Sequence, residues 1–141
     1  MFEKSYNKLV VFQKANSLAL EVYRVTKYFP GDELHGITSQ MRRAATSIAA
    51  NIVEGYSRDT LSERLRFYNM AKESLVELEF FIDFAYKLDY LKRTQHDEVS
   101  DLKDEVGRLL YGFIKSVRKI KTTEARGLTF ETQSLSLEAV K

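Results

Sequence analysis

The chain has 141 residues, the size of one ordinary domain, and is 44% hydrophobic and 30% charged, so a folded core under a charged surface is expected. Its 22 basic and 20 acidic side chains leave a formal charge of +2, which excludes a polycationic arm as the dominant feature but leaves room for a local basic patch. The absence of Cys excludes disulfides, thiolate zinc sites and cysteine nucleophiles, and one Pro with six Gly favours long helices over a turn-rich β fold.

The opening MFEKSYNK has no apolar stretch behind a basic start, so no signal peptide is expected there and the cytoplasm is the default location. Apolar runs such as 48–53 are far shorter than a membrane span. The first helix is predicted over about 11–28, where Val11, Ala15, Leu18, Val22, Val25 and Phe29 keep the spacing of one helix face. Pro30 and Gly31 then stop it. The second is predicted over 37–57, with Ile37, Met41, Ala45, Ile48 and Ile52 as its stripe. The third starts after an N-cap at Asp59 or Thr60 and continues to about 88. Its stripe includes Leu61, Leu65, Tyr68, Ala71, Leu75, Leu78, Ile82 and Ala85. A loop over 89–93 leads to the fourth, with Thr94 as the expected N-cap and Val99, Leu102, Val106, Leu109, Phe113, Val117 and Ile120 on one face. Short connections make neighbours antiparallel, so the expected fold is all-α: an up-down-up-down four-helix bundle over 1–121. Residues 122–141 lose the helical period and read as a flexible tail, in which 128–132 alternates like a short strand that a partner could pair.

The third helix carries more apolar surface than one core needs. Ala71, Leu78 and Ile82 centre its inner face, while Met70, Phe81, Phe84 and Leu88 lie on an adjoining face. That second face reads as a contact with another subunit, or else as aromatics folded into a thick core. The second helix concentrates small residues, and its Gly55 belongs at a close backbone contact or at the helix end. Its strip of Ser39, Arg43, Ser47, Ala50 and Glu54 is either a solvated face or a subunit contact in which Glu54 pairs an Arg.

No catalytic constellation emerges. His35 and His96 form no His-x-x-x-His pair and no Glu-x-x-His motif. No Gly-x-Ser-x-Gly elbow is present, and Gly107 and Gly112 lack the Lys-Ser/Thr of a P-loop, so both are assigned to close helix packing. No cofactor is implied. Charge is segregated along the fourth helix. Asp97, Glu98, Asp101, Asp104 and Glu105 crowd its start, and Arg108, Lys115, Arg118, Lys119 and Lys121 crowd its end. This complements the helix dipole, and the basic end is also a place to meet phosphate. Arg42, Arg43 and Arg58 form a second basic group, able to bind phosphate or to pair with Glu54, Asp59 or Glu63.

The segment SQMRRAATSIAANIVEGYSR over 39–58 resembles the signature of the bacterial 23S ribosomal RNA intervening-sequence proteins. KLVVFQKANSLALEVYRVTKYFP and LRFYNMAKESLVELE add matches, so the resemblance spans about residues 8–121. Ala49 stands where the family usually has Pro, so the second helix is expected to be straighter than is typical. Ser57 replaces a common Gly. The resemblance implies a bundle that assembles as a ring-like homopentamer. It extends to the accessory variability protein of diversity-generating retroelements, which implies nucleic acid and a reverse transcriptase as partners. The matching polar positions are Gln40, Arg42, Arg43, Asn51, Glu54, Tyr56 and Arg58, none with a catalytic role in the family.

The combined expectation is a non-enzymatic, oligomeric scaffold or accessory protein that binds RNA or DNA electrostatically. Arg42, Arg43, Arg58, Lys115, Arg118, Lys119 and Lys121 are its nucleic-acid candidates, and Glu54, Tyr56, Met70, Phe81 and Phe84 its interface candidates. The alternative is a protein-interaction module without nucleic-acid binding. A nuclease is disfavoured for want of clustered carboxylates, a His pair or metal spacing.

Overall fold

A computed structural model describes residues 5–127. They form four helices: α1 (Val10–Thr26), α2 (Ser39–Tyr56), α3 (Leu61–Lys87) and α4 (Arg93–Ala125). There is no strand among the described residues. Each helix packs on its neighbours in sequence, and α1 closes the ring onto α4. Cross-helix pairs fix the directions. Along α2, Arg43 meets Glu77, Ser47 meets Ser74 and Gly55 meets Tyr68, so α3 descends as α2 rises. Along α4, His96 meets Asp83 and Lys103 meets Glu79, so α4 again reverses. This is a four-helix bundle, with the antiparallel order expected from its short connections.

The sequence stripes are the core. Val11, Ala15, Leu18, Val22, Val25 and Phe29 are buried, as are Ile37, Met41, Ala45, Ile48 and Ile52. Tyr68 and Phe113, both fully buried, meet edge to face with ring centroids 4.9 Å apart. Gly55 is buried where α2 and α3 come closest. α2 runs unbroken through Ala49, which is buried.

The ends show where local chemistry was misjudged. Thr60 is the N-cap of α3, its hydroxyl accepting from the Glu63 N–H at 3.2 Å. Thr94 is not the N-cap of α4: that position is Lys92, and Gln95, three residues on, accepts from the Lys92 N–H at 2.8 Å. A carboxamide reaching back this way does half of a capping box without Ser or Thr. α3 ends in a Schellman turn, with Tyr90 N–H on the Ala85 carbonyl and Asp89 N–H on that of Tyr86. Asp89 takes the left-handed conformation there, at φ 63°. α4 continues to Ala125, four residues beyond Lys121, where the bundle was expected to end. The 128–132 alternation lies outside the described residues. Gly112 is exposed, and a Cβ there would meet nothing within 4 Å among the described residues, so the packing role expected of it is not met; a Cβ at Gly107 would stand 3.3 Å from Leu75 Cδ2, so Gly107 does have one.

Candidate functional site

The basic residues separate into two chemically different groups. Those on and just after α2 are engaged inside the chain. Arg42 donates from Nε to the Thr26 hydroxyl at 2.9 Å, and its guanidinium lies 4.7 Å over the Tyr23 ring. It thus ties α2 to the end of α1. Arg43 reaches Glu77 at 2.7 Å and Gln40 at 3.0 Å, tying α2 to α3. Arg58 pairs with Glu54 one turn back and covers the Phe67 ring at 4.6 Å. A planar guanidinium stacks and forks at once, which suits Arg to such clamps.

The cations of α4 are placed differently. Arg108, Lys115, Arg118, Lys119 and Lys121 are all exposed, and none has a carboxylate partner among the described residues. Arg108, Lys115 and Lys119 stand seven and four residues apart, in one line along the helix, with exposed Tyr111 beside them. No acid occurs from 107 to 123, so this stretch of the helix contributes only positive charge.

The apolar candidates also separate. Met70 and Phe84 are exposed on α3, whereas Phe81 and Tyr56 are partly buried against the core. Phe80, which the sequence reading passed over, is 60% exposed and stacks on Phe84 at 5.6 Å. Its signal was present, since Phe80 directly precedes Phe81 and lies one turn from Phe84. Leu20 and Tyr23 form a second exposed apolar spot on α1. Glu54, expected in a subunit contact with an Arg, pairs with Arg58 of the same chain, just beyond the end of its helix. Ser47 hydrogen-bonds to Ser74 and accepts from the Asn51 amide in a shallow hollow between α2 and α3.

Three groups are electrostatically perturbed, among them Tyr90, whose phenol is raised by its hydrogen bond to Glu33. Burial pushes the Tyr68 phenol well above its ordinary range, and its hydroxyl has no hydrogen-bond partner among the described residues. The Asp83 carboxylate, hydrogen-bonded to His96 Nε2 at 2.9 Å, raises the imidazole above its usual value against an opposing desolvation. Asp97 adds to this at Nδ1 from 3.2 Å. No group of three or more His, Asp or Glu side chains converges on a metal position among the described residues. No helix among them is long and apolar enough to cross a membrane.

Residues 7–112 match the profile of the 23S rRNA-intervening sequence proteins. The chain belongs to this family. Among solved structures it is similar to a protein of unknown function from the S23 ribosomal protein family of Bacteroides thetaiotaomicron, with 25% identity and a TM-score of 0.69. The similarity covers 75% of this chain and 99% of that one. No curated protein matches the chain. The matched region of this intervening-sequence protein stops at Gly112, so Lys115, Arg118, Lys119 and Lys121 lie beyond it.

Proposed function

We propose that the chain is a non-enzymatic subunit of a ring-like homopentamer that binds nucleic acid through the outer face of α4. The observation that carries the binding is the row of cations there, none with a carboxylate partner among the described residues. Successive turns present Lys115 and Lys119 about 6 Å apart, close to the phosphate spacing of a nucleic-acid strand. Nothing on this face resembles a base-reading module, so affinity rests on phosphate neutralisation. Arg42, Arg43 and Arg58 serve as helix clamps in this reading, because each already has a partner within the chain.

Exposed apolar surface on two sides of the bundle supports the ring. Phe80 and Phe84 lie on α3, and Leu20 and Tyr23 lie on α1. In a bundle of this order the two helices are diagonal, so the patches face in different directions. Head-to-tail closure requires two unlike patches per subunit, whereas a two-fold dimer requires one.

An anisotropy titration of RNA and duplex DNA over a series of salt concentrations tests the binding. Contact with three to four phosphates per site gives a log–log salt slope near about −3 for duplex DNA. The double substitution Lys115→Ala with Lys119→Ala lowers that slope by about two. Absence of binding at low salt, or binding without salt dependence, refutes the reading. A second reading, a protein-docking module, is favoured by the exposed Phe80–Phe84 stack; its partner is a protein such as the reverse transcriptase that the resemblance implies. Capture of a partner that Phe80→Asp abolishes, with nucleic-acid binding absent, selects it.

A further inference from the structure

At the opposite end of α4 the chain holds a half-open cavity of about 670 Å³, lined mostly by exposed side chains and of a volume that small ligands fill. It is bounded by the end of α1 and by the α3–α4 turn. Three of its lining residues are tyrosines: Tyr28, Tyr86 and Tyr90. Tyr28 is 81% exposed, an unusual position for an aromatic ring, and stacks on no other ring among the described residues. The other two rings are held in place. Tyr90 donates to Glu33 at 2.9 Å and packs on Phe29. Tyr86 lies against the His96 imidazole, centroids 4.6 Å apart, and His96 is itself fixed between Asp83 and Asp97.

The floor of the cavity is the start of α4. Lys92 and Arg93 line it, with no acid in the first helical turn and no side chain accepting from the first N–H groups. A lysine ammonium is a donor only, so the N-cap itself adds positive charge where a Ser or Asp would ordinarily accept. Free N–H groups, the positive end of the dipole and the Lys92 ammonium form a place for a phosphate, with the exposed Arg93 guanidinium, 3.9 Å from Asp97, beside it. Asp89, also lining the cavity, is an acceptor that suits ribose hydroxyls or exocyclic amines rather than a bare anion.

We propose that this cavity is a nucleotide site, with a base stacked on Tyr28 and Tyr86 and its phosphate at Lys92, Arg93 and the start of α4. The chemistry is that of a free nucleotide or of the terminal nucleotide of a strand. The site is independent of the α4 basic face, because 25 residues of helix, about 38 Å, separate Arg93 from Arg118.

Calorimetric titration of the full chain decides the matter. The probes are the four nucleoside monophosphates, their nucleosides, inorganic phosphate and a 5′-phosphorylated hexanucleotide. At least one monophosphate saturates at one per chain, and its nucleoside and inorganic phosphate each bind tenfold or more weakly. Tyr28→Ala, at an exposed position that leaves folding intact, weakens binding about tenfold or more, the loss of one stacking platform. Lys92→Ala weakens it severalfold, and Lys72→Ala, on the outer face of α3, leaves it unchanged. Equal binding of mononucleotide and hexanucleotide supports a free nucleotide as the source, and tighter binding of the hexanucleotide supports a strand end. The proposal is overturned by any of three results: no saturable nucleotide binding, phosphate alone binding as tightly as nucleotide, or unchanged affinity in both Tyr28→Ala and Lys92→Ala.

Discussion

Two glycines in helices of this bundle should respond to the same substitution with opposite signs. A Cβ on Gly55 would stand 2.6 Å from Tyr68 Cε1, 2.9 Å from Cδ1 and 3.0 Å from Phe67 Cβ. Ordinary contact needs about 1 Å more, and Tyr68 has nowhere to retreat: it is fully buried and pressed edge-on against Phe113. Overpacking of this kind costs about 1–3 kcal/mol. Alanine recovers at most about 1 kcal/mol of helix propensity, and less here because Tyr56 is the last residue of α2. Gly55→Ala should therefore destabilise by about 1–2 kcal/mol. Gly112 lies inside α4 with nothing within 4 Å of its Cβ, so Gly112→Ala keeps the whole propensity gain of about 1 kcal/mol. Urea denaturation followed by circular dichroism, at one protein concentration for all variants, measures both. A Gly55→Ala protein as stable as wild type would show that α2 and α3 separate more freely than this packing permits.

The remaining expectations concern single groups. His96 has a folded pKa above its unfolded value of about 6.5, so its pairing stabilises fully below that pH and fades as pH rises through the folded value. Asp83→Asn should therefore cost up to about 1 kcal/mol near pH 5.5 and progressively less by pH 8.5, with Asp97 and its neighbour Arg93 retained; a cost that grows with pH would contradict this. Tyr68→Phe removes a buried hydroxyl that has no partner, so stability should hold or rise by about 1 kcal/mol, and a clear loss would reveal an unseen partner. Asp89→Gly relieves a left-handed aspartate at a helix C-terminus and should raise the melting temperature by a few degrees; a fall would mean that the carboxylate is stabilising the turn.

Hydrophobic period alone made the bundle legible. Every apolar residue assigned to the stripes of α1 and α2 is buried, because a helix face is fixed by spacing and needs no partner to be recognised. The ends were harder, because caps depend on which polar group happens to reach back. Gln95 serves Lys92 from three residues downstream, a role that Thr94 seemed better suited to by type. The basic candidates look alike in sequence, and the structure separates them by partner. Arg43 finds Glu77 from 34 residues away, a pairing no local window contains. The terminal lysines of α4 find none among the described residues because their whole segment lacks acids, and that was visible in the sequence. The nucleotide cavity was invisible, since Tyr28 and Lys92 are brought together only by the folding of α1 against the α3–α4 turn.

The geometry of the exposed patches makes the mode of assembly testable without a structure of the oligomer. If subunits close head to tail, the α3 patch of one copy meets the α1 patch of the next. Phe80→Asp then removes one side of every contact and Leu20→Asp removes the other, so each variant alone is monomeric by light scattering. Each still keeps one intact patch. Mixing the two in equal amounts should form a heterodimer that stops at two subunits, since the Phe80→Asp copy offers a sound α1 and the Leu20→Asp copy a sound α3. A self-complementary two-fold contact through α3 behaves otherwise. Leu20→Asp would then dimerise normally, and mixing it with Phe80→Asp would yield no heterodimer. That second outcome would refute ring closure through these two faces, because only a charge buried in a contact blocks assembly, and one left in water at an unused patch does not.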